Sequence, residues 1–237
     1  MMLRARGTLY LLAATPFLVA LYAAMRNLSY STGAQRLSFV NFIVPGMAAF
    51  AAVHILQDTM VAVAATYRAR GVLRRLAVTP VSAARLITVQ ILTYLVFGVL
   101  VSVVLLLAGA TAGAHIRFGP GLLWLIPLFA VMVATGLAFA FAIAGAARSP
   151  EAANAVSALA GLTLGFLIGS TYPRQALPAD LPQITGYLPF SPLIQAVRGI
   201  ALGQAPITHY GQQILIGLGW LLAALVLAVR LYRLTEE

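Results

Sequence analysis

His54 and Asp58 stand four residues apart inside an otherwise apolar run, with Gln57 beside Asp58. On a helix, residues at i and i+4 share a face, so the imidazole and the carboxylate can meet. A carboxylate at mid-bilayer costs about 2.5–3.5 kcal/mol on insertion scales, so such a group is normally paired or lines a watery cavity. Two readings are open. Phe50, His54 and Asp58 face a translocation path or a subunit interface, or Asp58 sits near the inner end of its helix, partly wet and paired with an arginine.

The second group with chemical potential is cationic. The stretch Thr66–Leu86 reads TYRARGVLRRLAVTPVSAARL. Arg70 and Arg74 share a helical face, Arg75 adjoins them, and Val72, Leu73 and Leu76 supply apolar residues at helical spacing. A short amphipathic helix is expected here, ending before Pro80 because the residue preceding proline disfavours helix. Such a helix lies along a membrane surface or inserts into a partner; the alternative is that these arginines only anchor topology.

Other chemistries lack their residues. The chain has no lysine, so a G-x-x-x-x-G-K-[S/T] phosphate loop cannot form. It has no cysteine, no H-E-x-x-H and no G-x-S-x-G, and its six methionines are scattered. Acidic residues are limited to Asp58, Glu151, Asp180, Glu236 and Glu237, too few for a carboxylate relay across a bilayer. No catalytic residue, metal site or cofactor is expected in this chain. The net charge of +10 is spread over helix ends with no soluble domain to read a groove, which argues against nucleic acid.

The elements that position these residues are set by composition. The chain is 62% hydrophobic and 8% charged over 237 residues, which no water-soluble domain of that size tolerates. A membrane helix needs ~20 apolar residues, and the apolar runs are continuous, which favours helices over a barrel. We expect an all-α polytopic membrane protein, one transmembrane domain over residues 1–237. Its six helices fall near Thr8–Ala24, Asn41–Ala65, Leu86–Gly109, Leu122–Ala147, Ala152–Thr171 and Tyr210–Leu231.

With the N-terminus inside, Arg4, Arg6, Arg68, Arg70, Arg74, Arg75, Arg85, Arg148, Arg230 and Arg233 lie on the inner side. Arg26, Arg36, Arg117, Arg174 and Arg198 lie outside, so inner arginines outnumber outer ones two to one. Both termini are expected in the cytoplasm and the chain in the plasma (inner) membrane, in contact with lipids. Arg4 and Arg6 could begin a signal peptide ending near Ala23–Ala24; a retained first helix is expected because an odd number of remaining spans would upset the charge balance.

Between the fifth and sixth spans, Thr171 to Pro206 holds six of the twelve prolines, Pro189 and Pro192 among them. Leu193–Leu202, which contains Arg198, is apolar but too short to cross. A re-entrant element before the last helix and an ordinary external loop with an interfacial helix are both open. In the fifth span, Asn154, Ser157, Gly161, Gly165 and Gly169 recur at helical spacing, which suits tight helix packing. His115 and His209 are expected to be ordinary interfacial residues, and Trp124, Trp220, Tyr10 and Tyr232 to form an aromatic belt.

Three segments carry a resemblance: FIVPGMAAF (Phe42–Phe50), RGVLRRLAVTPVSAARL (Arg70–Leu86) and YLPFSPLIQAVRGIALG (Tyr187–Gly203). Together they resemble the membrane subunit of the type-2 ABC exporter family, over most of the chain. The resemblance implies that the inner loop seats in a separate phosphate-loop ATPase subunit, present in two copies, which binds ATP and Mg. Gly71, Leu73, Arg75, Leu76, Thr79, Pro80 and Ser82 match the family pattern, with Arg70 and Arg74 alongside. A second permease, identical or homologous, completes the path for an amphipathic drug or lipid-like substrate. The chain departs from the family in having no acidic residue between Tyr67 and Arg70, and in its short segment before the first span. The competing readings are a secondary transporter, for which only His54 and Asp58 qualify as couplers, and a non-transporting membrane assembly protein.

Overall fold

The computed structural model describes residues 24, 29–32, 35–71, 83–174, 177–178 and 181–232. A short antiparallel hairpin comes first, β1 (Ser29–Thr32) and β2 (Gln35–Ser38), with Ser29 opposite Ser38 and Thr32 opposite Gln35. It is a local exception to the all-helical expectation. Mostly polar residues fill it, with Thr32 its one β-branched strand residue, and it leads directly into α1 (Phe39–Ala69).

Helix α1 has 31 residues. At 1.5 Å per residue it is ~46 Å long, well beyond the ~30 Å hydrocarbon core. It starts two residues before the expected span and continues four past it. Thr66 supports the extension by donating to Ala62 O at 2.7 Å. Next come α2 (Ala83–Thr111), a 3-10 turn (Pro120–Trp124) continuous with α3 (Leu125–Ala146), and α4 (Pro150–Leu167). The short α5 (Leu181–Thr185), the buried α6 (Ser191–Ala201), a 3-10 turn (Ile207–Tyr210) and α7 (Gly211–Leu231) complete the order.

Among the described residues, four stretches are long and apolar enough to cross a membrane: Phe39–Ala69, Ile91–Thr111, Pro120–Ala146 and Ile207–Leu231. The expected first span, with Arg4 and Arg6, lies outside the described residues apart from Ala24. The expected fifth span corresponds to α4, which is 18 residues long and stops at Leu167. Ser149 caps its start, accepting the Ala152 N–H at 3.2 Å, and Pro150 takes the first helical position, where a missing N–H costs nothing. Its other end breaks at Gly169, whose φ of +78° suits glycine.

Helix α1 is the hub. It packs against α2, α3, α4 and α6, while α3 also packs against α7. Val40, Val44, Val53, Met60 and Val61 of α1 and Leu125, Phe129, Met132 and Leu137 of α3 are almost fully enclosed. By contrast α2 and α7 turn apolar stripes outward: Leu92, Val96, Leu100, Val104 and Leu107 on one, Leu215, Leu222, Val226 and Val229 on the other. Water would penalise such stripes; lipid does not.

Candidate functional site

One seam joins the middle of α1 to α4. The α1 residues Phe50, His54 and Asp58 lie along one row of the helix, and Ser157, Gly161 and Gly165 lie along a row of α4 running the opposite way. A β-carbon on Gly161 would collide with the His54 ring, and one on Gly165 would come within 3.2 Å of the Phe50 ring. Rows spaced by four thus interdigitate, and the glycines let the two backbones approach. The expected packing role of the small residues holds for Ser157 and Gly161, both buried. Asn154 is exposed, and Gly169 lies beyond the helix end.

Ser157 does more than pack. Its hydroxyl donates to Asp58 Oδ1 at 2.6 Å and accepts from the Gln57 amide at 3.4 Å. His54 Nδ1 lies 3.5 Å from Asp58 Oδ2, within electrostatic reach, yet it is enclosed and makes no aligned hydrogen bond. No arginine pairs with Asp58 among the described residues, and Asp58 stands eleven residues before the end of α1. The Asp58 side chain keeps 42% of its surface exposed and His54 27%. Phe50 is buried instead: its ring stacks on His54 at 5.8 Å and meets Phe190 edge-on at 6.1 Å.

A second charged group sits at the Phe39 end of α1. Arg198 of α6 donates to Phe42 O at 3.0 Å and to Gly169 O at 2.6 Å, and its guanidinium lies 3.7 Å from the Phe42 ring centroid. Gly46 permits this knot, because a β-carbon there would press on Ser170 O and the Arg198 Nη2. Pro45 just before it lacks an N–H, so the first turns of α1 already give up one helical bond. Arg174 lies over Gly169 and donates to Pro182 O at 3.4 Å; burial pushes its guanidinium below the usual arginine value.

Pro189 and Pro192 are buried beside Phe190, whose φ of +70° starts α6 with a left-handed turn. Nearly every residue of α6 is enclosed, against α1, α3 and α7. Backbone packed in protein in this way is compatible with membrane depth.

At the Ala69 end, Arg68 donates to Ala144 O, Gly145 O and Ala147 O at 3.2, 2.6 and 3.2 Å, satisfying the carbonyls at the end of α3. Tyr232 OH donates to Ala64 O at 3.1 Å. Tyr232 is therefore an enclosed fastener and not a belt residue, and Trp220 sits mid-helix, donating to Tyr187 O at 2.8 Å. Arg68, Ser157 and Tyr232 were not singled out for these roles by the sequence; a basic residue in the last turn of a helix was the one signal available. Of the expected coupling residues, Arg70 is exposed at the C-cap of α1 and Gly71 follows with φ +61°. Leu73, Arg74, Arg75, Leu76, Thr79, Pro80 and Ser82 lie outside the described residues.

Residues 18–231 match a family model described as ABC-2 family transporter protein. No curated protein and no solved structure matches the chain.

Proposed function

Because the chain belongs to the ABC-2 transporter family, whose members are membrane transport components that normally work with an ATPase subunit, we propose that it is the permease subunit of an exporter. A separate phosphate-loop ATPase, in two copies, hydrolyses ATP with Mg, and two permeases form the path for an amphipathic drug or lipid-like molecule. Arg70, Gly71 and the residues to Ser82 seat in the ATPase on the cytoplasmic side of the plasma membrane, where both termini lie. The buried α6, with Pro189, Pro192 and Arg198, is the re-entrant element closing the outer end.

The observation that carries this reading is the half-exposed Asp58 carboxylate at the middle of the longest helix. Lipid does not accept an open carboxylate at that depth. Its uncovered side therefore faces a wet path or a second subunit. Ser157 and His54 hold it in one orientation without neutralising it from every side.

The test is affinity purification from native membranes, followed by ATPase assay of the eluate with added substrates. A phosphate-loop ATPase is expected to co-purify. Asp58→Asn is expected to leave assembly intact and to cut substrate-stimulated hydrolysis about tenfold, equivalent to ~1.4 kcal/mol of lost coupling. Unchanged stimulation in an assembled complex would remove Asp58 from the path.

A further inference from the structure

At the Phe39 end of α1, well away from the Asp58 seam, an open cavity of about 540 Å³ is lined by Asn41, His115, Ile116, Arg117, Leu202 and Gln204. We propose that it binds a phosphate group, carried by an anionic lipid of the leaflet at that end, which is the outer leaflet in the orientation proposed above.

The lining is rich in donors. Arg117 is exposed, and its guanidinium has neither a carboxylate nor a hydrogen-bond partner among the described residues. Its backbone N–H donates to Ala201 O at 2.9 Å, which ties the α2–α3 connection to the end of α6. Its side chain lies across Gly203, where a β-carbon would collide with it and where φ is +64°. Glycine at 203 thus meets two demands at once: the turn after α6 and room for the arginine. His115 is fixed as well. Its backbone N–H donates to Asn41 Oδ1 at 2.8 Å, and its Nδ1 lies 3.3 Å from Asn41 Nδ2. Nδ1 also lies 3.4 Å from Asn41 Oδ1, so the Asn41 amide engages that edge of the ring and leaves Nε2 as its other polar atom. Gln204 adds an exposed amide.

No acid competes for these donors among the described residues. The acids there are Asp58 and Glu151. Asp58 lies seventeen residues along α1 from Asn41, ~25 Å by helix rise, and Glu151 starts α4 at the opposite end of the bundle. A planar guanidinium with added N–H donors suits phosphate oxygens. The neighbouring Phe118 and Leu123 are among the most exposed large apolar side chains, and Trp124 is about half exposed. They place an acyl-compatible surface beside the cationic cavity, which points to a lipid-borne phosphate over a free one.

The test uses the full chain purified in detergent, titrated with phosphatidylglycerol and read by native mass spectrometry. Binding is read without ATPase and without a sidedness assumption, so its failure is separable from failure of the exporter reading. Arg117→Gln is expected to weaken retention of the first lipid about tenfold. Gln204→Ala is expected to weaken it less, and Arg230→Gln at the far end of α7 to leave it unchanged. Equal loss in Arg117→Gln and Arg230→Gln, or loss in neither, overturns the proposal. Inorganic phosphate is compared with chloride at equal ionic strength. Displacement of the lipid by phosphate alone overturns the lipid source in favour of a soluble anion; no displacement supports the lipid.

Discussion

Arg198 and Asp58 are both ionisable groups held among apolar helices, and the molecule treats them in opposite ways. Arg198 is closed off: two backbone carbonyls accept from its guanidinium and the Phe42 ring covers it. Asp58 is left open: one strong hydrogen bond from Ser157, a loose approach by His54, and nearly half of the side chain uncovered. A charge held by main-chain carbonyls fastens three segments together, here α1, α6 and the Gly169 turn. Asp58 keeps lone pairs that no other donor among the described residues fills. The first ion is enclosed by its surroundings and the second keeps an open side, which is the feature that the proposed path uses.

Three substitutions probe that contrast, in order of expected effect on stability. Arg198→Met keeps the bulk but leaves Phe42 O and Gly169 O without their donor. At roughly 1–3 kcal/mol for each of the two groups, the loss is expected to be about 2–6 kcal/mol, read as a large drop in thermal midpoint of the detergent-purified chain. A wild-type midpoint would mean that the knot is ornamental and the comparison void. Gly161→Val drives a branched side chain into the His54 ring, an overpacking cost of about 2 kcal/mol. Restoring the midpoint by combining it with His54→Ala would locate the strain at that contact; no rescue would place it elsewhere. Ser157→Ala removes one donor to Asp58 and is expected to cost about 1 kcal/mol. The same variant should make Asp58 more mobile and lower substrate-stimulated ATPase, whereas an effect on stability alone would make the seam as structural as the knot.

Much of this was legible from residue order. The i, i+4 spacing of His54 and Asp58 correctly put them on one face of a long helix, and the small residues of α4 correctly announced a close helix contact. The short apolar stretch containing Arg198 was recognisable as too short to span, and it forms a separate helix of eleven residues. The hairpin before α1 was not foreseen, because two four-residue strands leave almost no periodicity to read. Nor was the role of Tyr232, whose position near a span end suits a membrane interface as readily as a hydrogen bond to α1.

What residue order determined by itself is the solvent and one excluded motif. An apolar fraction of 62% demands a bilayer, and a chain without lysine cannot build a phosphate loop. What only the tertiary structure decided is which helix meets which. Ser157 reaches Asp58 across 99 residues, and Arg198 reaches Phe42 across 156. In water, a polar face and an apolar face tell a helix which side to bury. In lipid both the core and the surroundings are apolar, so the sequence of a span carries little sign of its inward side. Shape and a few hydrogen bonds then choose the partners, and these are properties of the folded packing alone.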